Sequence, residues 1–321
     1  MNIKLILGLF LCSFNGFRAA DAQQINSTKP LGLQLSYPLF ETEFIWQGGL
    51  RGNKWDDYAA LLIPVTVRNS TRVFYMQFDT GSPVSLLYDD KLKEIKALMN
   101  RSGNTSDTLQ KTMNFNFKIG NTEISAREIS VVKRTQIEDK TIDTTARQII
   151  GTIGTDTING NVLLIDYLER KIVVIDKIPE SILKSTKLSD FFYTMGSILL
   201  PSILQKENKI LYFDTGSSAF ELLIDKLTWQ NLANKDSIPL SYKVQSWNRT
   251  LTANTVATRD SIQISTQKIP LRYVTFIEGA SDNQINRMMA LGIGGMTGNK
   301  LFLNTILVID TKNKKFGVVR K

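Results

Sequence analysis

Short apolar runs separated by polar turns fill most of the chain, and few stretches carry the three-to-four spacing of an amphipathic helix. Ala59 to Val67 (AALLIPVTV) reads as a strand, Asn69-Ser70 as a turn, and Phe74 to Phe78 as a second strand, a hairpin that delivers its end to Asp79. Leu86-Leu87 continues in strand. Asp89 to Met99 places Leu92, Ile95, Leu98 and Met99 at helical spacing between charges, which predicts a short helix. Asn100 to Thr112 has no apolar period, and Met113 to Ile119 then alternates cleanly, so a polar loop leads into a two-sided strand. Further strand pattern covers Ile129 to Val132, Ile149 to Gly154 and Val162 to Val174. The pattern predicts an all-β protein.

Two of the strands end in the same tetrapeptide. Phe74 to Ser82 reads FYMQFDTGS and Lys209 to Ser217 reads KILYFDTGS, each an apolar run feeding a tight turn at Asp-Thr-Gly-Ser. Set side by side without gaps, Asp79 to Leu92 and Asp214 to Leu227 share eight of fourteen residues. The ends of the halves also match, Val162 to Val174 (VLLIDYLERKIVV) with Ile306 to Val318 (ILVIDTKNKKFGV). An apolar-Gly pair precedes each, and Ile150-Gly151 and Leu291-Gly292 are taken as equivalents. A repeat of about 135 residues is far too long for a solenoid and predicts two homologous β-rich lobes.

Residues 1–22 carry Lys4, the apolar run Leu5 to Leu11 and Ala20-Asp21-Ala22, the parts of a secretory signal peptide cleaved after Ala22. Cys12, the only cysteine, lies inside it, so the mature chain has none and depends on its core. Export into a bacterial periplasm, envelope or medium is the expectation, and no second apolar run reaches membrane-spanning length. Sequons at Asn26, Asn69, Asn100, Asn104 and Asn248 read as a by-product of an Asn- and Thr-rich composition. The formal charge is +9, and because residues 1–22 carry Lys4, Arg18 and Asp21, the remainder carries +8. These charges are scattered, which describes a solvated basic surface and gives no reason to expect nucleic-acid binding.

There is no histidine. That excludes Ser-His-Asp and Cys-His catalysis and His-ligated zinc, and leaves carboxylates, hydroxyls and lysines. Two lobes related by an approximate two-fold axis would bring Asp79 and Asp214 face to face. Of two touching carboxylates one keeps its proton and the other stays ionised, a pairing suited to activating a water against a carbonyl with neither metal nor cofactor. Thr80 and Thr215 can bond across to the opposite loop. Gly81 and Gly216 let the backbones approach, and Ser82 and Ser217 can donate to the outer carboxylate oxygens.

On these residues the chain resembles the pepsin-like and retropepsin-like aspartic proteases. The resemblance implies the acid-protease fold, two β-barrel-like lobes with the active site between them, and a peptide or protein substrate. It implies Asp79 and Asp214 as catalytic pair, with Thr80, Gly81, Ser82, Thr215, Gly216 and Ser217 in support, no cofactor, no metal, and a monomer. The family's flap carries Tyr-Gly, which is missing between Asn100 and Phe117; Gly103, Asn104 and Thr105 mark the place where it would lie. Residues 58–176 form the expected N-terminal lobe, 177–196 a connector and 197–321 the C-terminal lobe. Residues 23–57 read either as a sheet-edge strand or as a segment covering the cleft.

Other readings of the same residues are a catalytically silent peptide-binding or envelope protein of this fold, and a glycosidase. Glycoside hydrolysis requires an asymmetric, wider carboxylate pair, which two identical turns do not suggest. Trp229 and Trp247 read as packing in preference to a substrate cleft.

Overall fold

The computed structural model describes residues 6–7, 33–36, 39–68, 70–98, 111–133, 147–246, 249–279 and 292–320. Strands dominate them, and the helices among them are the short Asp89–Leu98, Glu180–Ser185 and Lys226–Leu232. None is long and apolar enough to cross a membrane. The fold is all-β and two-lobed.

Each lobe repeats one unit around its Asp-Thr-Gly-Ser turn. In the first, strand Val73–Phe78 lies between an antiparallel neighbour, Lys54–Val67, and a parallel one, Ile149–Ile153. In the second, Glu207–Phe213 lies between antiparallel Ser197–Leu204 and parallel Ile293–Thr297. A strand flanked on both sides and covered on both faces reads as a continuous apolar run, which is why FYMQF and ILYF carry almost no alternation. The Asp-Lys-Leu shared after each turn opens a helix in both lobes. Asp225 caps the second by accepting from the Thr228 N–H at 2.9 Å, and Asp89 and Asp90 place negative charge in the first turn of the other.

The two lobes meet in a six-stranded sheet. Val162–Asp166 pairs antiparallel with Thr305–Asp310, and each is followed by its own hairpin partner, Lys171–Ile175 and Lys315–Arg320. Leu164 sits opposite Val308. These two are also equivalent in the sequence repeat, so the register puts an approximate two-fold axis between them. Leu163 faces Ile309 and Ile165 faces Leu307, the exchange that such an axis requires.

Residues 33–35, 41–43 and 45–51 are built into the sheets as edge strands. Leu33–Leu35 pairs with Thr122–Val132, Glu41–Glu43 with Lys171–Ile175, and Ile45–Arg51 with Lys54–Val67. Phe40 and Phe44 are fully buried, at about 1.5–3 kcal/mol each for the transfer from water. Residues 39–57 are paired into or buried against the sheets, and strand Lys54–Val67 runs straight through position 57. The hairpin they form reaches across to the second lobe. Ala59 packs with Phe220, Leu223, Tyr242, Val244 and Met296, and the Asp56 carboxylate meets the Lys300 ammonium at 2.5 Å.

Candidate active site

The two turns close on each other at the two-fold axis. The Thr80 N–H donates to the Thr215 hydroxyl oxygen at 2.8 Å, and the Thr215 N–H to that of Thr80 at 3.0 Å. Each hydroxyl then donates to the carbonyl just before the opposite aspartate, Thr80 to Phe213 at 3.0 Å and Thr215 to Phe78 at 2.7 Å. All four bonds are buried, so breaking any one strands a polar group away from water. The glycines have no room for a side chain. A Cβ on Gly81 would lie 2.5 Å from Asp214 Oδ1, and one on Gly216 2.5 Å from Asp79 Oδ1.

Asp79 and Asp214 are buried and in hydrogen-bond contact with each other. The Gly81 N–H donates to Asp79 Oδ1 at 2.9 Å and the Gly216 N–H to Asp214 Oδ1 at 2.8 Å. Beyond this the symmetry breaks. The Ser217 hydroxyl donates to Asp214 Oδ2 at 2.7 Å, whereas the Ser82 hydroxyl donates to the Val84 carbonyl at 2.6 Å. The expectation that both serines serve the carboxylates thus holds only in the second turn. Pro83 supplies the reason: the residue before a proline is disfavoured in helical geometry. Thr215–Ser217 coils as a 3-10 turn and continues helically at Ser218, a path closed to the first turn.

Burial pushes Asp79 well above the ordinary carboxylate range, and the charge of Asp214 and the hydrogen bond between the two push it further. Burial raises Asp214 too, but the Ser217 hydroxyl, Asp79 and the Gly216 N–H donate to it and hold it back. The Ser217 hydroxyl, a donor with no counterpart on Asp79, favours the charge on Asp214, and the touching pair shares one proton.

Behind the turns, the pairing of apolar-Gly elements expected from the sequence needs a correction. The Asp79 N–H donates to the Ile153 carbonyl at 3.0 Å and the Asp214 N–H to that of Thr297 at 2.9 Å. Ile153 pairs with Phe78 as Thr297 pairs with Phe213, which makes Gly154 and Gly298 the equivalent glycines. A Cβ on Gly154 would lie 2.7 Å from the Ser82 carbonyl oxygen, and one on Gly298 would overlap that of Ser217. Gly151 is thus the counterpart of Gly295, not of Gly292. The expected pairing slips by three residues because Gly295 is preceded by Gly294, so the apolar-Gly pattern is met instead at Leu291-Gly292.

Two further residues complete the site, and strand and helix patterning does not find them. Asn299, directly after Gly298, is fully buried and donates through Nδ2 to the Thr215 carbonyl at 3.0 Å and the Ser218 hydroxyl at 2.9 Å. Thr155, directly after Gly154, holds the Ser82 carbonyl through its backbone N–H at 2.9 Å. Aligning the two halves on Gly154 and Gly298 is the signal that could have found both. Gly103, Asn104 and Thr105 lie outside the described residues, as does Trp247. Trp229 packs at 6.4 Å from Phe276, as expected of a packing residue.

No family model matches the chain, and no curated protein matches it. Among solved structures, an aspartic proteinase from Irpex lacteus aligns with 82% of this chain and 94% of its own at 13% identity and a TM-score of 0.48. The residue roles rest on the geometry of the two turns.

Proposed function

We propose that this chain is an aspartic endopeptidase that hydrolyses peptide bonds with Asp79 and Asp214. The observation that supports it is the pair of buried carboxyl groups, delivered by two equivalent turns, in contact across a two-fold axis and unequally hydrogen-bonded, since Ser217 donates to Asp214 and Ser82 does not donate to Asp79. Ionised Asp214 takes a proton from a water as its oxygen attacks the peptide carbonyl carbon. Asp79 gives its proton to the carbonyl oxygen, forming a gem-diol. As the C–N bond breaks, Asp214 passes its proton to the departing nitrogen, and a diol hydroxyl returns one to Asp79. The pair then stands as it began, one proton shared between two carboxyl groups.

The assignment is tested with a peptide library of unbiased sequence incubated from acid to neutral pH. Cleavage that disappears in both Asp79→Asn and Asp214→Asn, with thermal unfolding still cooperative, supports the reading. Cleavage that survives in either variant sinks it, and a saturable peptide affinity without cleavage would identify a binding protein instead. The apolar N-terminal segment supports export as part of the same reading, and a secreted form beginning at Gln23 is its check.

A further inference from the structure

Tyr167 belongs to the first lobe, one residue beyond strand Val162–Asp166, yet its hydroxyl donates to Asn299 Oδ1 of the second lobe at 2.7 Å. Its ring is fixed between neighbours, parallel to Trp46 at 6.3 Å and to Phe302 at 6.5 Å. The Asn299 amide is then saturated. Its oxygen accepts from Tyr167, and its nitrogen spends both hydrogens on the Thr215 carbonyl and the Ser218 hydroxyl. Thr215 is the residue between Asp214 and the glycine that Asp79 crowds. A chain of hydrogen bonds therefore runs from the first lobe, through one buried amide, into the turn that carries Asp214.

The other lobe is held in a related way. Thr155, the positional counterpart of Asn299, is bonded through its side chain to Tyr193, on strand Phe192–Thr194, which pairs with Ser197–Leu204 of the second lobe. Each turn is thus backed by a polar side chain that is tied to a tyrosine from outside its own lobe, Tyr167 for the second turn and Tyr193 of the connector for the first.

We propose that Tyr167 and Asn299 are positioning residues for Asp214, a relay by which the first lobe sets the orientation of the second lobe's turn. This rests on the endopeptidase reading for its kinetic consequences, but not for its effect on the carboxyl pair. Slackening the amide releases the Thr215 carbonyl, and the turn that follows presents the Gly216 N–H and Ser217 hydroxyl to Asp214 less well. Asp214 loses what holds its proton affinity down. Asn is suited to the position because its donors do not titrate.

The test uses the full chain with Tyr167→Phe, Asn299→Leu and Asn299→Asp. Peptide cleavage is measured across pH, and the carboxyl groups are titrated by carbon NMR of labelled aspartate. Tyr167→Phe keeps the ring stack and removes one donor; kcat is expected to fall about fivefold and KM to change less than about twofold. In Asn299→Leu the lower apparent pKa of the pair moves up and the acid limb of the pH profile follows it. In Asn299→Asp activity persists at low pH, where the protonated acid still donates to the Thr215 carbonyl, and is lost as pH rises and the carboxylate forms. Wild-type titration of the pair and wild-type kinetics in all folded variants would overturn the relay. Should the wild type itself cleave nothing, the endopeptidase reading fails, and the carboxyl titration alone decides the relay.

Discussion

Ser82 and Ser217 occupy the same place in two copies of one turn and donate to different acceptors, the Val84 carbonyl oxygen in the first and Asp214 Oδ2 in the second. The pair of carboxyl groups is therefore asymmetric by construction. Ser217→Ala removes a donor to the group that carries the charge, so the lower apparent pKa of the pair rises and the acid limb of the pH–rate profile moves up. A hydrogen bond to a charged group lost from a buried site corresponds to roughly ten- to a hundredfold in rate. Ser82→Ala removes no donor to Asp79, and its acid limb stays in place. Measuring kcat against pH for the two variants separates them; equal displacement of both limbs would contradict the assignment of Asp214 as the ionised partner.

The same burial has a consequence for stability. Asp79 and Asp214 bind protons more tightly in the folded protein than the ordinary carboxylate value of 3.8. Between that value and their raised ones the folded protein holds more protons than the unfolded chain. Its stability accordingly falls as pH rises through the window, and is unaffected below it. Asp79→Asn removes a carboxyl that resists ionisation, so the variant unfolds at a higher temperature than wild type at pH 7, and the gain shrinks toward pH 3. Each kcal/mol relieved corresponds to roughly 1.5–2 °C in a protein of this size. Thermal melts at the two pH values check it, and a gain at pH 3 as large as at pH 7 would refute carboxyl ionisation as the source of the effect.

Gly81 and Gly216 make the most local prediction. A methyl group at either would lie within 2.5 Å of the opposite carboxylate, and the pair has no direction in which to yield because the threonine bonds pin both turns. Gly81→Ala and Gly216→Ala each force the turns apart, and a misplacement of this size at reacting groups costs about a hundredfold in kcat. Because the four threonine bonds stretch with them, both variants also melt at lower temperature than wild type. Activity within a few-fold of wild type in either would mean that the carboxyl groups need not touch.

What the sequence shows of this site follows from the range of the interactions involved. The Asp-Thr-Gly-Ser turns, the duplicated helix start at Asp90-Lys91-Leu92 and Asp225-Lys226-Leu227, and the paired end hairpins are local signatures, each set by residues within one turn or one strand. They place both aspartates and both lobes. Asn299 and Tyr167 have no such signature. Asn299 sits in the polar sequence Thr297-Gly298-Asn299-Lys300, and its identity is dictated by partners 84 and 132 positions away. The phase of the apolar-Gly pairs is ambiguous in sequence because Gly295 and Gly298, the counterparts of Gly151 and Gly154, follow Gly294 and Thr297 and not apolar residues, and pairing with Phe78 and Phe213 distinguishes them. Residues 45–57 show no clear period because the tip of their hairpin packs on the second lobe, where Asp56 meets Lys300 and Arg51 lies over the Tyr273 ring.

That hairpin also carries a charge arrangement whose removal is directional. Asp56 is buried, with Lys300 at 2.5 Å and Arg51 at 3.6 Å, and both cations are largely shielded from water. Burial holds Lys300 below the usual lysine range, with Asp56 acting to restore it. Lys300→Met leaves the Asp56 carboxylate with Arg51 for a partner and gives up the tie between the lobes. Asp56→Leu leaves two buried cations facing each other, which is worse by the amount of their repulsion. Breaking a buried pair by removing one member costs about 3–5 kcal/mol, and replacing both members by apolar residues restores much of it. Asp56→Leu is expected at or beyond the upper end of that range and Lys300→Met at the lower. The double variant is expected to be more stable than Asp56→Leu alone. Urea unfolding of the three proteins measures the order directly, and a double variant less stable than either single one would show that Lys300 and Asp56 do not compensate each other across the lobes.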